Sequence, residues 1–194
     1  MNRFHHWYCR SGHWRLKLQS EILPWAVNGL QLAAMAPALE IGPGPGLTTE
    51  WLCEHGAGPA CLEIDPGLAL DLRRRLGAAG VRVYIGDATQ MPFDEGRFSI
   101  VLAFTMLHHI PSRALQDRMF REAYRVLQPG GILAGVDSSD SWLLRLFHIG
   151  DRMLPLVPSE LPARLEAANF ANVQIDIRGE RFRFLAYRPP ARVH

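Results

Sequence analysis

The residues best equipped for chemistry cluster around one glycine-rich run, Ala38-Leu39-Glu40-Ile41-Gly42-Pro43-Gly44-Pro45-Gly46, in which a short apolar stretch leads into glycines at every second position. A glycine loop between a strand and a helix marks the nucleotide crevice of a doubly wound sheet. Three details decide what such a loop can hold. The dinucleotide pattern GxGxxG requires a glycine at position 47, where Leu47 stands. Pro43 and Pro45 have no N–H to aim at a phosphate. Glu40 precedes the loop and Glu50 falls in the first turn of the helix after it, where negative charge opposes an anion and attracts a cation. A positively charged ligand with a nucleoside part fits better than a dinucleotide.

S-adenosylmethionine (SAM) has that chemistry, with a sulfonium, an ammonium, an adenosine and no phosphate. Glu63, in Cys61-Leu62-Glu63-Ile64-Asp65-Pro66, follows Gly42 at the spacing of about 20 residues that puts an acid on ribose hydroxyls in a βαβ unit. One carboxylate can accept from both hydroxyls. Asp87, in Gly86-Asp87-Ala88, offers a second carboxylate at a strand end, placed to accept from the adenine amino group.

These residues need a scaffold, and the hydrophobic pattern supplies one. Short apolar runs bounded by Gly, Pro and Asp alternate with longer amphipathic stretches, which indicates α/β with a largely parallel sheet. Strands are predicted at Ala38–Ile41, Ala60–Ile64, Val81–Ile85, Phe98–Phe104, Ile132–Val136, Val173–Ile177 and Arg181–Tyr187. Helices are predicted at Thr48–Glu54, Gly67–Leu76, Arg113–Leu127, Trp142–Ile149 and Leu161–Ala168. Only Arg178, Gly179 and Glu180 separate the last two strands, too few for a parallel crossover, so those strands must form an antiparallel hairpin. Gln128-Pro129-Gly130-Gly131 should end the long helix in a turn with φ > 0 at the glycine.

Composition bounds the class. With 194 residues, 48% hydrophobic and 21% charged, the chain fits one soluble globular domain. Lys and Arg total 21, and Lys17 is the one lysine, yet 19 acids hold the formal net charge to +2. That balance disfavours nucleic-acid binding, and the arginine excess reads as coding bias. Three cysteines with no CxxC pair, no secretory h-region and no apolar run of about 18 residues predict a cytoplasmic protein without a membrane span.

The ordered motifs are similar to those of class I SAM-dependent methyltransferases, of the small-molecule type that includes the ubiquinone and menaquinone biosynthesis enzymes. Leu39 to Gly46 resembles the family's first motif, Leu62-Glu63-Ile64-Asp65 its ribose-binding strand end and Gly86-Asp87-Ala88 its adenine contact. Phe98-Ser99-Ile100-Val101 through Leu107-His108-His109 resembles its fourth-strand motif, and Arg125 to Gly131 the turn before its fifth. The resemblance implies a Rossmann-like seven-stranded sheet of order 3-2-1-4-5-7-6, strand 7 antiparallel, with helices on both faces. It implies SAM contacts at Glu40, Gly42, Gly44, Gly46, Glu63, Ile64, Asp87, Ala88 and Phe104. Ala103-Phe104-Thr105-Met106 departs from the Asn/Asp-Pro-Pro-Tyr/Phe element of the nucleic-acid amino-methyltransferases, which argues against that acceptor.

Methyl transfer from a sulfonium needs orientation and exclusion of water, and a base only where the acceptor must lose a proton. His108, His109 and Asp137 follow the fourth and fifth strands and are the catalytic candidates; each has an alternative as a local hydrogen-bonding or capping group. His148-Ile149-Gly150-Asp151 falls where relatives build part of the acceptor pocket. Residues 1–30 read as a helical strap or lid of a single domain, with Phe4, Trp7, Tyr8 and Trp14 among Arg3, Arg10, Arg15 and Lys17 and no acid before Glu21. His5, Cys9 and His13 recur at four-residue steps, but no fourth ligand lies near and no metal is expected. The expected activity is methylation of a small organic molecule; a SAM-binding regulatory domain without turnover, or an RNA or protein methyltransferase, are the alternatives.

Overall fold

The computed structural model describes residues 11–140 and 153–191. Its strands are β1 (Ala38–Ile41), β2 (Ala60–Glu63), β3 (Arg82–Ile85), β4 (Phe98–Phe104), β5 (Leu127–Ser138), β6 (Ala171–Arg178) and β7 (Arg181–Tyr187). They form one sheet of order β3-β2-β1-β4-β5-β7-β6. β7 runs antiparallel to both β5 and β6, and the other pairs are parallel, as the hairpin spacing and the family resemblance predict. Gly179 turns the hairpin with φ +58°, a left-handed conformation open to glycine at no steric cost.

Helices flank the sheet. An amino-terminal strap consists of α1 (Gly12–Lys17), a π-helical turn (Leu18–Ile22) and α2 (Leu23–Ala26), and Ser11 caps it by accepting from Trp14 N. Then come α3 (Leu47–Glu54), α4 (Pro66–Leu76), α5 (Arg113–Val126) and α6 (Leu161–Ala167). Alternation along the strands splits the core. On one face Leu39, Val101, Leu133, Phe182 and Phe184 pack against Met119, Phe120, Ala123 and Val126 of α5 and Leu161 and Leu165 of α6. On the other, Ala38, Leu102, Phe104 and Val136 pack against Leu18, Ile22, Leu23 and Trp25 of the strap and Trp51 and Leu52 of α3. Each large buried side chain contributes about 1.5–3 kcal/mol through the apolar area it removes from water. No helix among the described residues is long and apolar enough to cross a membrane.

Most boundaries fall within one or two residues of the sequence expectation, and the largest difference is at β5. β5 begins at Leu127, five residues before the predicted Ile132, because Leu127 pairs with Phe98 and the strand bulges before Ile132 pairs with Ile100. Gly130 has the expected positive φ (+82°), but its N–H donates to Arg188 O, so the segment is stitched to the end of β7. The predicted helix Trp142–Ile149 lies outside the described residues.

The arginines serve as cross-links. Arg188 Nη1 donates to the carbonyls of Tyr124, Arg125 and Leu127 at the end of α5, at 2.8–3.1 Å. Arg125 reaches Phe93 O and Met91 O, and Arg73 reaches Val83 O. A planar five-donor fork can satisfy several carbonyls at once, which a lysine ammonium does less well.

Candidate cofactor crevice and histidine turn

At the carboxyl end of β1 the chain turns through Gly42, Gly44 and Gly46, all with φ between +54° and +87°. A side chain on Gly42 would meet Met106, and one on Gly46 would fall 2.3 Å from Leu72 Cδ1 of α4. At Gly44 there is open space, so the crest of the loop faces the crevice. Glu63, at the end of β2, holds this loop: its Oε2 accepts from Gly44 N at 2.9 Å and its Oε1 from Asp65 N at 2.9 Å. Each carboxylate oxygen keeps a second acceptor position.

Glu40 lies beneath the loop. It is 1% exposed, and its carboxyl accepts from the hydroxyls of Thr48 and Thr49 and faces Cys61 Sγ at 3.7 Å. Burial pushes its pKa up to about 7, against the pull of the two threonine hydroxyls. The same burial, with Glu40 nearby, pushes the Cys61 thiol up. Glu50 likewise does not present a bare charge to a ligand. Its carboxylate is shared by Arg15 of the strap at 2.7 Å and Arg75 of α4 at 2.5 Å, and Arg75 also donates to Pro45 O in the loop. The sequence therefore misleads twice here, since Arg15 looked unbalanced and Glu50 looked available; the pairing spans 25 and 35 residues and leaves no local signal.

Beside the loop, Asp87 Oδ1 accepts from Thr89 N at 2.7 Å. Ile64 (66% exposed) and Ile85 (45% exposed), at adjacent strand ends, expose apolar side chains, and Ala88 is half-buried. Two carboxylates, an open glycine and exposed isoleucines suit an adenosine with a cationic tail. Two of the predicted contacts are not presented at the surface of the crevice: Phe104 packs in the apolar layer with the strap and β5, and Glu40 is buried against Thr48 and Thr49.

The histidines follow β4. Thr105 adopts φ +50°, a conformation that β-branched residues rarely take, and its N–H donates to Val136 O at 2.7 Å. Met106 then lies over Gly42, and Leu107–His109 form a 3-10 turn. Asp137 fixes that turn. It is 0% exposed; Oδ2 accepts from Leu107 N (2.8 Å) and His108 N (3.3 Å), and Oδ1 faces His108 Nδ1 at 2.5 Å and accepts from Ser138 N at 2.7 Å. With four partners on two oxygens, the acceptor positions of Asp137 are taken up within the protein. His108 is buried, and His109, half-buried, tilts against it with ring centroids 4.3 Å apart.

The strap is docked by side chains that sequence reading did not single out. Trp25 Nε1 donates to Asp176 Oδ2 at 2.8 Å, Arg183 Nη1 donates to Trp25 O at 2.8 Å, and Arg178 stacks over the Trp25 ring. His5, Cys9, Phe4, Trp7, Tyr8, Arg3, Arg10 and the run His148 to Asp151 lie outside the described residues.

Residues 39–135 match a family model described as a methyltransferase domain. An uncharacterised methyltransferase of Synechocystis is 30% identical over 163 residues, spanning 76% of this chain and 73% of that protein. A rice chloroplast protein named 2-methyl-6-phytyl-1,4-hydroquinone methyltransferase 1 is 28% identical over 143 residues; the match spans 70% of this chain and 41% of the rice protein's length. Among solved structures, a SAM-dependent methyltransferase from Aquifex aeolicus superposes with a TM-score of 0.73 at 17% identity, covering 97% of this chain and 99% of that one, which shows the shared fold.

Proposed function

Because the chain belongs to the class I SAM-dependent methyltransferases, we propose that it transfers the methyl group of SAM to a nucleophile on a small organic molecule and releases S-adenosylhomocysteine. The observation that carries this reading is Glu63, whose carboxylate ties the glycine loop to the end of β2 while keeping acceptor positions for a ribose. Asp87 would receive the adenine amino group, with Ile64, Ile85 and Ala88 as the apolar walls. Glu40 acts from below: held by Thr48 and Thr49, it sets the loop's shape from the buried side. SAM supplies an electrophilic methyl on an activated leaving group, so the protein's task is alignment and exclusion of water.

On the acceptor side, His108 and His109 are assigned as the groups that meet the nucleophile, with Asp137 as the residue that positions His108 through its ring nitrogen. Where the acceptor must lose a proton, an imidazole oriented by a carboxylate is suited to take it. The name of the rice relative, a hydroquinone methyltransferase, supports a phenolic or quinol acceptor. The described part of the strap is docked on β7 through Trp25 and on α3 through Arg15, which supports reading it as part of the same domain. A cytoplasmic location is supported by the free thiols of Cys53 and Cys61.

Thermal denaturation with S-adenosylhomocysteine and with NAD tests the cofactor assignment. A ligand at about 100 times its Kd stabilises the fold by about 2.7 kcal/mol, and only the homocysteine nucleoside should do so. Glu63→Gln is expected to weaken that ligand about 10–100-fold, since hydrogen bonds to a charged group are worth about 1.5–3 kcal/mol. Stabilisation by NAD alone overturns the reading.

A further inference from the structure

The histidine turn is gripped from two sides, and the second grip comes from residues outside the cofactor crevice. Asp137 takes the N–H groups at its start. At its end the carbonyls of Leu107 and Ile110 face Gln116 of α5, a side chain only 1% exposed. Gln116 Nε2 lies 3.3 Å from Leu107 O, 3.5 Å from Ile110 O and 2.8 Å from Leu154 O, and Leu154 in turn donates its N–H to His108 O at 2.8 Å. The Gln116 carbonyl oxygen accepts from Arg164 Nη2 of α6 at 2.9 Å. Arg164 is itself buried; its Nε donates to Asp117 at 2.7 Å, its Nη2 reaches Arg113 O, and its guanidinium stacks over Phe120.

A glutamine at this point is not what packing requires. Met119, Phe120 and Ala123 of the same helix belong to the apolar core, and a leucine or methionine at 116 would avoid desolvating an amide but would leave the Leu154 carbonyl and the Arg164 guanidinium without this partner. A buried amide persists at no net cost only where donors and acceptor are all matched, and a fully matched network specifies one arrangement of its partners. Here both ends of the amide are used. They join four pieces of chain: the histidine turn, α5, α6 and the segment at Leu154.

We infer that Gln116, anchored by Arg164, is a positioning residue for the acceptor side, which sets the backbone of His108 and His109 against Asp137 and Leu154. The inference rests on the assignment of the histidine turn to the acceptor side. It predicts that disturbing Gln116 changes the turn and spares the cofactor crevice.

The decisive variant is Gln116→Glu, which keeps the shape and the Arg164 partner but removes both N–H donors. Amide hydrogen exchange at Leu154 should accelerate about tenfold or more, because the bonds that hold this segment closed are weakened. The imidazole resonance of His108, observed in 15N-histidine-labelled protein, should shift or broaden, while S-adenosylhomocysteine affinity stays within about twofold. Arg164→Met, which removes the anchor instead of the donors, should give the same pattern and serves if Gln116→Glu does not fold. Unchanged exchange and an unchanged His108 resonance would show that Gln116 only fills space. An equal loss of cofactor affinity would show general support of the domain; either result overturns the proposal. Neither readout requires the acceptor. If turnover persists in the His108→Ala/His109→Ala double variant, the functional assignment of the turn fails by a separate measurement.

Discussion

The glycine loop and the histidine turn follow neighbouring strands, β1 and β4, yet they are held in opposite ways. The loop is shaped by its own backbone: three glycines at positive φ, two intervening prolines, and acids at Glu40 and Glu63 within 25 residues. The turn has no such local code. It takes its form from Asp137, 29 residues on, and from Gln116, which is tied to Leu154 and Arg164 at separations of 38 and 48 residues. One segment is shaped by residues close to it in sequence, whereas the other is held by side chains the fold brings in from distant parts.

The contrast can be broken most directly at Asp137. Asp137→Ala strands the buried N–H groups of Leu107 and His108, the half-buried N–H of Ser138 and the His108 ring nitrogen, and should cost about 3–5 kcal/mol in urea denaturation and abolish methyl transfer. A loss below about 1 kcal/mol would mean that the turn holds itself, as the loop does. Next in size, Gly46→Ala should cost about 3–4 kcal/mol, from a left-handed φ of +87° and a methyl forced to 2.3 Å from Leu72. Gly44→Ala, with open space around it, should cost only about 1 kcal/mol of stability but reduce S-adenosylhomocysteine affinity more than about tenfold. Equal effects at the two glycines would erase the distinction between structural and ligand-facing positions in the loop.

Glu40 sharpens the comparison through pH. Its folded pKa of about 7 lies above the ordinary 4.5, so between those values the folded state binds the extra proton. Its contribution to stability is therefore complete below about pH 4.5 and lost as pH rises through about 7, a change of about 3 kcal/mol. Asp71, Glu122 and Asp176, whose pKa values are lowered chiefly by hydrogen bonds from Arg75, Arg125 and Trp25, act with opposite sign and only at more acid pH. Glu40→Gln should flatten the urea midpoint between pH 5 and 7.5; an unaltered slope would remove Glu40 as its source. The smallest effect is expected at Trp25→Phe, which loses one hydrogen bond to Asp176 and about 1 kcal/mol, with cofactor affinity unchanged.

Legibility in the sequence follows the same division. Strand positions, the hairpin and the glycine loop could be read from Ala38 to Tyr187 because alternation, turn residues and spacing are short-range properties. His108 and Asp137 were also readable as candidates, since both follow strands whose carboxyl ends line the crevice. Their contact was not, and neither were the Thr48 and Thr49 clamp on Glu40, Met106 over Gly42, or the Arg15–Glu50–Arg75 link. The arginine excess shows the limit well: a composition that looked like coding bias turns out to place Arg73, Arg125, Arg164, Arg183 and Arg188 on carbonyls and carboxylates across the fold.

Sequence by itself determined the strand positions, the antiparallel hairpin and the placing of the glycine loop, Glu63 and Asp87 at strand ends, because each depends on local conformation or on the length of one βαβ unit, while the sheet order followed from the family resemblance. Only the tertiary structure decided which charges remain available to a ligand and which are spent on one another. Glu50 and Asp137 lost their freedom to partners that the chain brings back from far away, and Gln116 acquired a purpose for the same reason.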